Sequence, residues 1–143
     1  YQKSVDYFGA LYAIYKDKDV PRYMDMMGKY LSGLGEDALP GDYGKAAQSL
    51  YYAAGGKLKE ADHKQAIAWL EKAIPAEPVL MNKINYLVMV GDSYKELKNY
   101  AEAKKYYNQA YAESLQMASM EQAQQMIQAS VVYKLSTLEL LQQ

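Results

Sequence analysis

The sequence contains no cysteine and a single histidine, so two residue types on which metal sites and nucleophilic catalysis often depend are absent or nearly absent. Without cysteine this chain can form no disulfide, no thiolate metal site and no thiol nucleophile. The absence of cysteine suits both oxidising and reducing surroundings, so it does not decide between compartments.

An excess of charge of one sign is also lacking. The chain has 16 Lys and Arg against 17 Asp and Glu, for a net charge of −1, and it carries no long block of like charge. A protein that binds nucleic acid directly needs basic side chains to neutralise phosphates, so direct nucleic-acid binding is not expected. No apolar run approaches the roughly 18 residues of a membrane span, so we expect no membrane insertion by this segment.

Signatures of catalysis and of cofactor binding are missing as well. The sequence has no phosphate-binding loop, dinucleotide fingerprint or nucleophile elbow. His63 lies beside Glu60 and Asp62, but acidic residues are also favoured in the first turn of a helix, and we prefer that interpretation to a metal site. The eight methionines at helical spacing indicate adaptable packing rather than a soft-metal or haem site. We therefore expect no enzyme, no metal and no cofactor.

Apolar residues make up half of the chain and recur three and four positions apart almost throughout. This periodicity predicts helices and no strand. Prolines, paired glycines and short polar turns divide the chain into seven helices. The predicted bounds are residues 2–16, 20–33, 42–56, 62–75, 79–97, 100–117 and 119–142. The short links between them favour antiparallel neighbours in one cooperative unit.

Three of the helix starts are marked by a polar residue with a polar partner three positions later. The pairs are Asp62 with Gln65, Asn99 with Glu102 and Ser119 with Gln122. In a capping box the first side chain accepts a hydrogen bond from an unpaired backbone N–H of the first helical turn. The sequence thus predicts that Asp62, Asn99 and Ser119 are N-caps.

Two stretches of the chain resemble each other when they are aligned with an offset of 37 residues. The second stretch, from Ile84, contains in order Leu87, Val90, Gly91, Tyr94, Ala103, Tyr107 and Ala110. The first, from Ala47, contains Leu50, Ala53, Ala54, Lys57, Ala66, Leu70, Ala73 and Pro78. This order is similar to the tetratricopeptide repeat, in which a large residue, Leu-Gly and Tyr precede Ala, an aromatic residue and Pro on the next helix. Lys57 departs from it by standing where the repeat has Tyr.

The resemblance implies an all-α fold, a right-handed superhelix of about three helical hairpins closed by a C-terminal capping helix. Residues 79–117 form the best repeat and residues 42–78 a second one. Residues 2–33 resemble a degraded repeat, with Phe8, Gly9 and Tyr12 in its first helix. Residues 119–142 are expected to be the capping helix, and residues 1–143 a single domain.

Small and large residues alternate in the best repeat. Gly91, Ala103 and Ala110 would let the two helices of the hairpin approach closely. Tyr94 and Tyr107 would fill the wedge toward the next unit. The pattern therefore predicts close packing wherever these helices cross.

The resemblance also implies a function, because arrays of such repeats commonly hold a peptide or a helix on a concave face made by the first helix of each hairpin. We expect a protein or peptide partner there. The candidate residues, transferred by helix face, are Lys3, Asp6, Tyr7, Gln48, Tyr51, Tyr52, Asn85, Val88, Met89 and Asp92. Tyr51, Tyr52 and Met89 would make an adaptable floor, and Asn85 and Asp92 would pair with a partner's backbone or cations. Tyr51 and Tyr52 are equally compatible with packing against neighbouring helices.

The last predicted helix carries an apolar stripe that includes Val131, Leu135, Leu138 and Leu141. This helix would be about 36 Å long, against about 23 Å for a repeat helix of about fifteen residues, so its end should overhang the array. Its first half would cap the array. The stripe leaves self-association as a homodimer open.

A second resemblance concerns the end of the chain. The segment 111–115 followed by a glutamine-rich helix is similar to the end of bacterial repeat-containing sensor proteins, in which the helix continues toward a membrane span and a kinase or DNA-binding module. The chain also begins at Tyr1 rather than at Met, which suggests a piece of a longer protein. The alternative hypothesis is therefore the sensory domain of a larger bacterial signalling or transcription-regulating protein, in the cytoplasm or the periplasm.

Overall fold

The computed structural model describes residues 2–143, and seven α-helices make up most of that part of the chain. Their bounds are α1 Gln2–Tyr15, α2 Val20–Leu34, α3 Pro40–Ala54, α4 Glu60–Ala73, α5 Leu80–Glu96, α6 Tyr100–Ser114 and α7 Glu121–Leu141. Short 3₁₀ turns follow α2, α3 and α4. The described residues form no strand, and the predicted all-helical, repeat-like fold is confirmed. In the described chain no helix is both long and apolar enough to cross a membrane.

The predicted starts of the third and fourth helices are wrong by two residues. These helices begin at Pro40 and Glu60, and proline is well suited to the first helical position because the N–H it lacks would have no helical partner. Asp42 and Asp62 therefore occupy the third helical position, where each carboxylate accepts a hydrogen bond from the residue before the helix. The two bonds are Leu39 N to Asp42 Oδ2, 2.8 Å, and Lys59 N to Asp62 Oδ2, 3.0 Å.

The other two predicted caps have different outcomes. Asn99 is confirmed as the N-cap of α6, since its Oδ1 accepts a hydrogen bond of 3.3 Å from Glu102 N. The prediction that Ser119 is the N-cap of the last helix is wrong, because α7 begins only at Glu121. The backbone bond of 2.8 Å from Met120 N to Met117 O closes a tight turn, which moves the start of α7 past the serine.

The turns of the first and third hairpins have the same construction. Lys18 and Lys98 have left-handed φ angles of 55° and 61°. Each is followed by a capping residue, Asp19 or Asn99, whose side chain accepts a hydrogen bond from the backbone N–H three positions later. The hairpin at residues 2–33 is therefore closed in the same way as the best repeat, although its other motif residues have diverged.

The helices group into two compact units, which we call the N-terminal unit, α1 to α4, and the C-terminal unit, α5 to α7. In the N-terminal unit α1 pairs with α2 and α3 with α4, and α3 also contacts both helices of the first hairpin. In the C-terminal unit α6 contacts both α5 and α7. The first unit ends at Ala76 and the second begins at Glu77. A single domain over residues 1–143 stays a prediction.

A buried tyrosine links the two hairpins of the N-terminal unit. Tyr23 of α2 is 0% exposed, and its hydroxyl donates a hydrogen bond of 2.6 Å to the backbone oxygen of Ala46 in α3. Burial raises the pKa of the Tyr23 phenol well above its usual range, and nearby Tyr15 and Tyr7 raise it further. The folded protein therefore favours the neutral phenol.

We expect Tyr23→Phe to lower the free energy of unfolding by about 1 kcal/mol at neutral pH, because a buried hydrogen bond is lost. The raised pKa adds stability that is fully present below the usual pKa of about 10 and is lost as the pH rises above it. In urea titrations between about pH 10 and 11, wild type should therefore lose stability more steeply than Tyr23→Phe. Tyr133→Phe, which removes the hydroxyl of a side chain that is 74% exposed, is the control for the loss of stability at neutral pH and should stay close to wild type there. Equal slopes for wild type and Tyr23→Phe would contradict this assignment.

The best repeat is held by very close packing of α5 against α6. Ala103 and Ala110 are 0% exposed and Gly91 is buried, as expected for small residues at a helix crossing, and the large Tyr107 beside them is also 0% exposed. A Cβ atom at Gly91 would lie 2.4 Å from Tyr107 Cε1. Tyr107 therefore packs inside the hairpin against Gly91, and its filling of the wedge toward the next unit stays a prediction. Tyr94 stacks on Tyr106 of α6 with 5.7 Å between ring centroids.

Candidate functional site

The candidate residues of α1 lie mostly against neighbouring side chains. Lys3 is exposed, whereas Asp6 and Tyr7 are half-buried. The Tyr7 ring lies 5.1 Å from the ring of Tyr30 in α2, and Asp6 accepts a hydrogen bond of 2.9 Å from Gln2 Nε2. Tyr7 therefore packs partly inside the first hairpin, and of the three α1 candidates only Lys3 is exposed.

The candidate residues of α3 form a polar and aromatic surface, which we call the α3 face and define as Gln48, Tyr51 and Tyr52. Tyr52 is 64% exposed, so packing against neighbouring helices does not account for it, while Tyr51 is half-buried. The Nε2 atom of Gln48 donates a hydrogen bond of 3.1 Å to the Tyr52 hydroxyl, which fixes one side chain against the other. The α3 face thus offers an exposed ring together with amide and phenol groups.

The repeat-related residues of α5 differ from those of α3 in exposure. Asn85 and Val88 are half-buried, but Met89 is only 8% exposed and belongs to the interior. Met89 aligns with Tyr52 at the offset of 37 residues, so equivalent positions of the two repeats have opposite environments. The prediction that Met89 forms part of the floor of a binding surface is therefore wrong, because Met89 lies in the core.

Asp92 takes part in a hydrogen-bonded group, which we call the Asp92 network and define as Asp92, Tyr107 and Lys134. The Tyr107 hydroxyl donates to Asp92 Oδ1 at 2.5 Å, and Lys134 Nζ donates to the same oxygen at 3.0 Å. Lys134 Nζ also lies 5.9 Å from the centroid of the Tyr107 ring. The network joins α5, α6 and α7, so the carboxylate expected to meet a partner's cation is already used to hold the C-terminal unit together.

The stripe predicted for self-association on α7 is mostly buried within the protein. Val131 is 1% exposed and Leu138 is 2% exposed, whereas Leu135 is half-buried and Leu141 is 50% exposed. The prediction that this side of α7 serves self-association is therefore wrong for Val131 and Leu138, because both are covered within a single chain and belong to its core. The opposite side carries the exposed residues Met126, Tyr133 and Leu140, which are 74%, 74% and 70% exposed. Their spacing of seven residues can be read from the sequence, but Val131, Leu135, Leu138 and Leu141 form the longer apolar pattern of the same helix.

Helix α1 also presents an exposed apolar side that was not among the candidates. Val5, Phe8, Tyr12 and Tyr15 are 45%, 65%, 59% and 48% exposed and recur at spacings of three and four. Phe8 is the only phenylalanine of the chain. The helical spacing of these residues predicts one face, but it does not tell whether that face is covered.

A cleft of about 650 Å³ lies in the N-terminal unit between the turn after α1 and the start of α4. Its walls are formed by Asp17, Lys18, Asp19, Val20, Pro21, Lys57, Lys59 and Asp62. Asp19 and Asp62 accept hydrogen bonds from backbone N–H groups at their own helix starts, and Lys18 Nζ donates to Ala53 O at 3.3 Å. These polar groups mainly close the turns around the cleft.

The single histidine lies at the start of α4. His63 is 6% exposed, and within residues 2–143 no group of three or more His, Asp or Glu side chains is arranged to hold a metal ion. Glu60 pairs instead with Lys64 at 2.9 Å, and this hydrogen-bonded lysine lowers the pKa of the Glu60 carboxyl. The first-turn acids of α4 therefore serve the helix itself.

Comparison with known proteins identifies one part of the chain. Residues 84–116 match the model of the tetratricopeptide repeat, and this range covers most of α5 and all of α6. No curated protein and no solved structure matches the chain. The best repeat predicted from the sequence is thus confirmed as a tetratricopeptide repeat, a unit that typically serves as a non-catalytic scaffold for protein interaction.

Proposed function

We propose, from the tetratricopeptide repeat at residues 84–116, that this chain is a scaffold that binds an extended peptide of another protein on the α3 face. The single observation that carries the proposal is the exposed Tyr52 ring held by Gln48. A binding surface needs side chains that are ordered before the partner arrives, because ordering them on binding costs free energy.

The chemistry of the α3 face suits a peptide. Tyrosine offers a large contact area with few rotatable bonds, and its ring packs on apolar or proline side chains while its hydroxyl stays hydrated. The Gln48 amide has both donors and an acceptor, so it matches the backbone groups of an extended chain. Gln48, Tyr51 and Tyr52 are uncharged and suit apolar side chains and backbone groups of a partner, while the exposed Lys45, one turn earlier on the same side of α3, adds a positive charge beside them.

The C-terminal unit offers a second surface for the same role. Asn85 and Val88 align with Gln48 and Tyr51 at the repeat offset, and both are half-buried rather than core. Asn85 supplies an amide like that of Gln48, and Val88 supplies apolar contact. We propose these two residues as a peptide-contacting surface of the C-terminal unit by itself.

We expect Tyr52→Ala to weaken peptide binding at least about tenfold, as is typical when a central aromatic contact is removed. An array of short synthetic peptides of random sequence would be probed with the protein at low concentration. The dissociation constants of the tightest peptides would then be measured by fluorescence anisotropy. Tyr12→Ala removes a tyrosine of similar exposure, 59% against 64%, from a different helix and is the matched control.

Three outcomes of this comparison matter. A loss of affinity for Tyr52→Ala with Tyr12→Ala unchanged supports the α3 face. Peptides that bind Tyr52→Ala as tightly as wild type overturn it, as does an array in which no peptide binds. Because Tyr52 is exposed, circular dichroism should show that both variants keep the wild-type helix content.

A further inference from the structure

A single positive charge borders the α3 face. Helix α3 contains only two charged residues, Asp42 and Lys45. Lys45 precedes Gln48 by three positions and Tyr52 by seven, and residues at this spacing lie on one side of a helix. The Lys45 side chain is exposed. A peptide bound on the α3 face therefore meets an ammonium group at the edge of that face.

The protein itself does not use the Lys45 ammonium. Lysines such as Lys29 and Lys64 pair with an acid one turn earlier on their own helix, but Lys45 forms no ion pair with any described residue. Asp42, the other charged residue of α3, accepts a hydrogen bond of 2.8 Å from Leu39 N at the start of the helix. A partner's carboxylate would therefore displace no internal partner of Lys45.

The repeat-related surface of the C-terminal unit lacks this charge. At the offset of 37 residues Lys45 aligns with Asn82, which is half-buried and whose Nδ2 donates a hydrogen bond of 3.3 Å to Glu77 Oε1. The surface made by Asn85 and Val88 is thus bordered by a carboxylate where the α3 face is bordered by an ammonium. An acid on a peptide is attracted to the α3 face and repelled from the related surface.

We propose that the peptide bound on the α3 face carries an aspartate or glutamate whose carboxylate pairs with the Lys45 ammonium, a pairing that rests on the proposed function of this face. The peptide then combines an apolar residue on the Tyr52 ring with an acidic residue at Lys45. The whole chain has a net charge of −1, so its overall charge gives an acidic peptide no advantage. Selection for an acid comes from Lys45 locally.

The distance between the two contacts sets their spacing in the peptide. Seven positions of α-helix separate Lys45 from Tyr52, which corresponds to about 10 Å along the helix axis. An extended peptide advances about 3.3 Å per residue, so the acid should lie about three positions from the residue that packs on Tyr52. The flexible lysine side chain accommodates a shift of about one position.

The test uses the tightest peptides from the array, prepared with blocked ends so that only side chains carry charge. Among them we expect aspartate and glutamate to be enriched about three positions from an apolar residue. Each peptide is then compared with forms that carry Gln or Lys in place of that acid. Gln should weaken binding about two- to fivefold, as for an exposed ion pair, and Lys should weaken it further. The difference should shrink at high salt.

Reversing the charge at Lys45 should reverse this order. For Lys45→Glu we expect the Lys form of each peptide to bind more tightly than the acidic form. Lys105→Glu makes the same change of net charge at an exposed position of α6 and is the matched control, which should keep the wild-type order. Circular dichroism should show wild-type helix content for both variants, because both side chains are exposed.

The other outcomes overturn the pairing. Tight peptides without enrichment of acids, or a Lys45→Glu variant that keeps the wild-type order, show that Lys45 does not select the peptide. A reversal that also occurs in Lys105→Glu shows an effect of net charge alone. In these cases a loss of binding in Tyr52→Ala still supports the α3 face. If Tyr52→Ala binds as tightly as wild type, or no peptide binds, the α3 face is wrong and the pairing with Lys45 is wrong with it.

Discussion

Replacing Gly91 with alanine is expected to lower the free energy of unfolding by about 2 to 3 kcal/mol, the upper part of the range for overpacked cores. The added Cβ would lie 2.4 Å from Tyr107 Cε1 and 2.6 Å from Tyr107 Cδ1. The ring cannot move away easily, because it is 0% exposed and its hydroxyl is bound to Asp92. Relief of the clash would therefore require α5 and α6 to separate.

The matched control for this variant is Gly28→Ala in α2. Apart from its chain neighbours and the backbone of its own helix, no atom lies within 4 Å of a Cβ atom built at Gly28, so the substitution adds helix propensity without a clash. It should raise the free energy of unfolding by about 0.5 to 1 kcal/mol. Urea unfolding followed by far-ultraviolet circular dichroism measures both variants. A midpoint for Gly91→Ala equal to that of wild type would contradict the close packing of α5 on α6.

The same experiment bears on whether the chain unfolds as one cooperative unit. Trp69 is the only tryptophan and lies in α4, so its fluorescence reports on the N-terminal unit. Gly91 lies in the C-terminal unit. If residues 1–143 form a single cooperative domain, Gly91→Ala must shift the fluorescence midpoint by the same amount as the dichroism midpoint. A shift confined to circular dichroism would show that the two units unfold separately.

Asp92→Ala is the second substitution with a large expected effect, a loss of about 2 kcal/mol in the free energy of unfolding. It removes the acceptor used by the buried Tyr107 hydroxyl and the carboxylate bound to Lys134. The Asp92 side chain is 34% exposed and that of Lys134 is 27% exposed, so water reduces the loss below that of a fully buried ion pair. Since Lys134 is the link from α7 to this network, the amides of α7 should also exchange with solvent faster.

Two further variants separate the causes of that loss. Asp92→Asn keeps an oxygen that can accept from Tyr107 but removes the charge, so it should lose less than half as much stability. Asp25→Ala breaks a pair with Lys29 in which both side chains are well exposed, 63% and 73%, and should cost less than about 0.5 kcal/mol. An Asp92→Ala variant as stable as Asp25→Ala would show that the network does not hold α7.

The sequence predicted the helices well because their periodicity and their breaks are local properties. Errors arose where two local signals compete, as at Asp62, which can cap a helix or occupy its third position. The choice between them depends on the path of the chain before the helix, as seen in the bond from Lys59 N to the Asp62 carboxylate. The repeat at residues 84–116 was predictable because Gly91, Ala103 and Tyr107 must fit one crossing of two helices.

The candidate site was much less predictable. Tyr52 and Met89 occupy equivalent repeat positions, yet one is 64% exposed and the other 8% exposed. Helical spacing gives the face on which a residue lies, but it does not say which neighbour covers that face. The same limit applies to α7, where Leu138 lies on a covered face and Tyr133 on an open one.

Peptide binding on the α3 face is tested most directly by nuclear magnetic resonance mapping of the tightest peptide on the isotopically labelled chain. If the peptide binds there, the largest chemical-shift changes fall on Gln48, Tyr51 and Tyr52, and the amide protons of Val5, Phe8, Tyr12 and Tyr15 in α1 stay unchanged. Changes centred on those α1 residues or on the cleft beside Lys57 and Lys59, with the α3 face unaffected, would contradict binding on the α3 face.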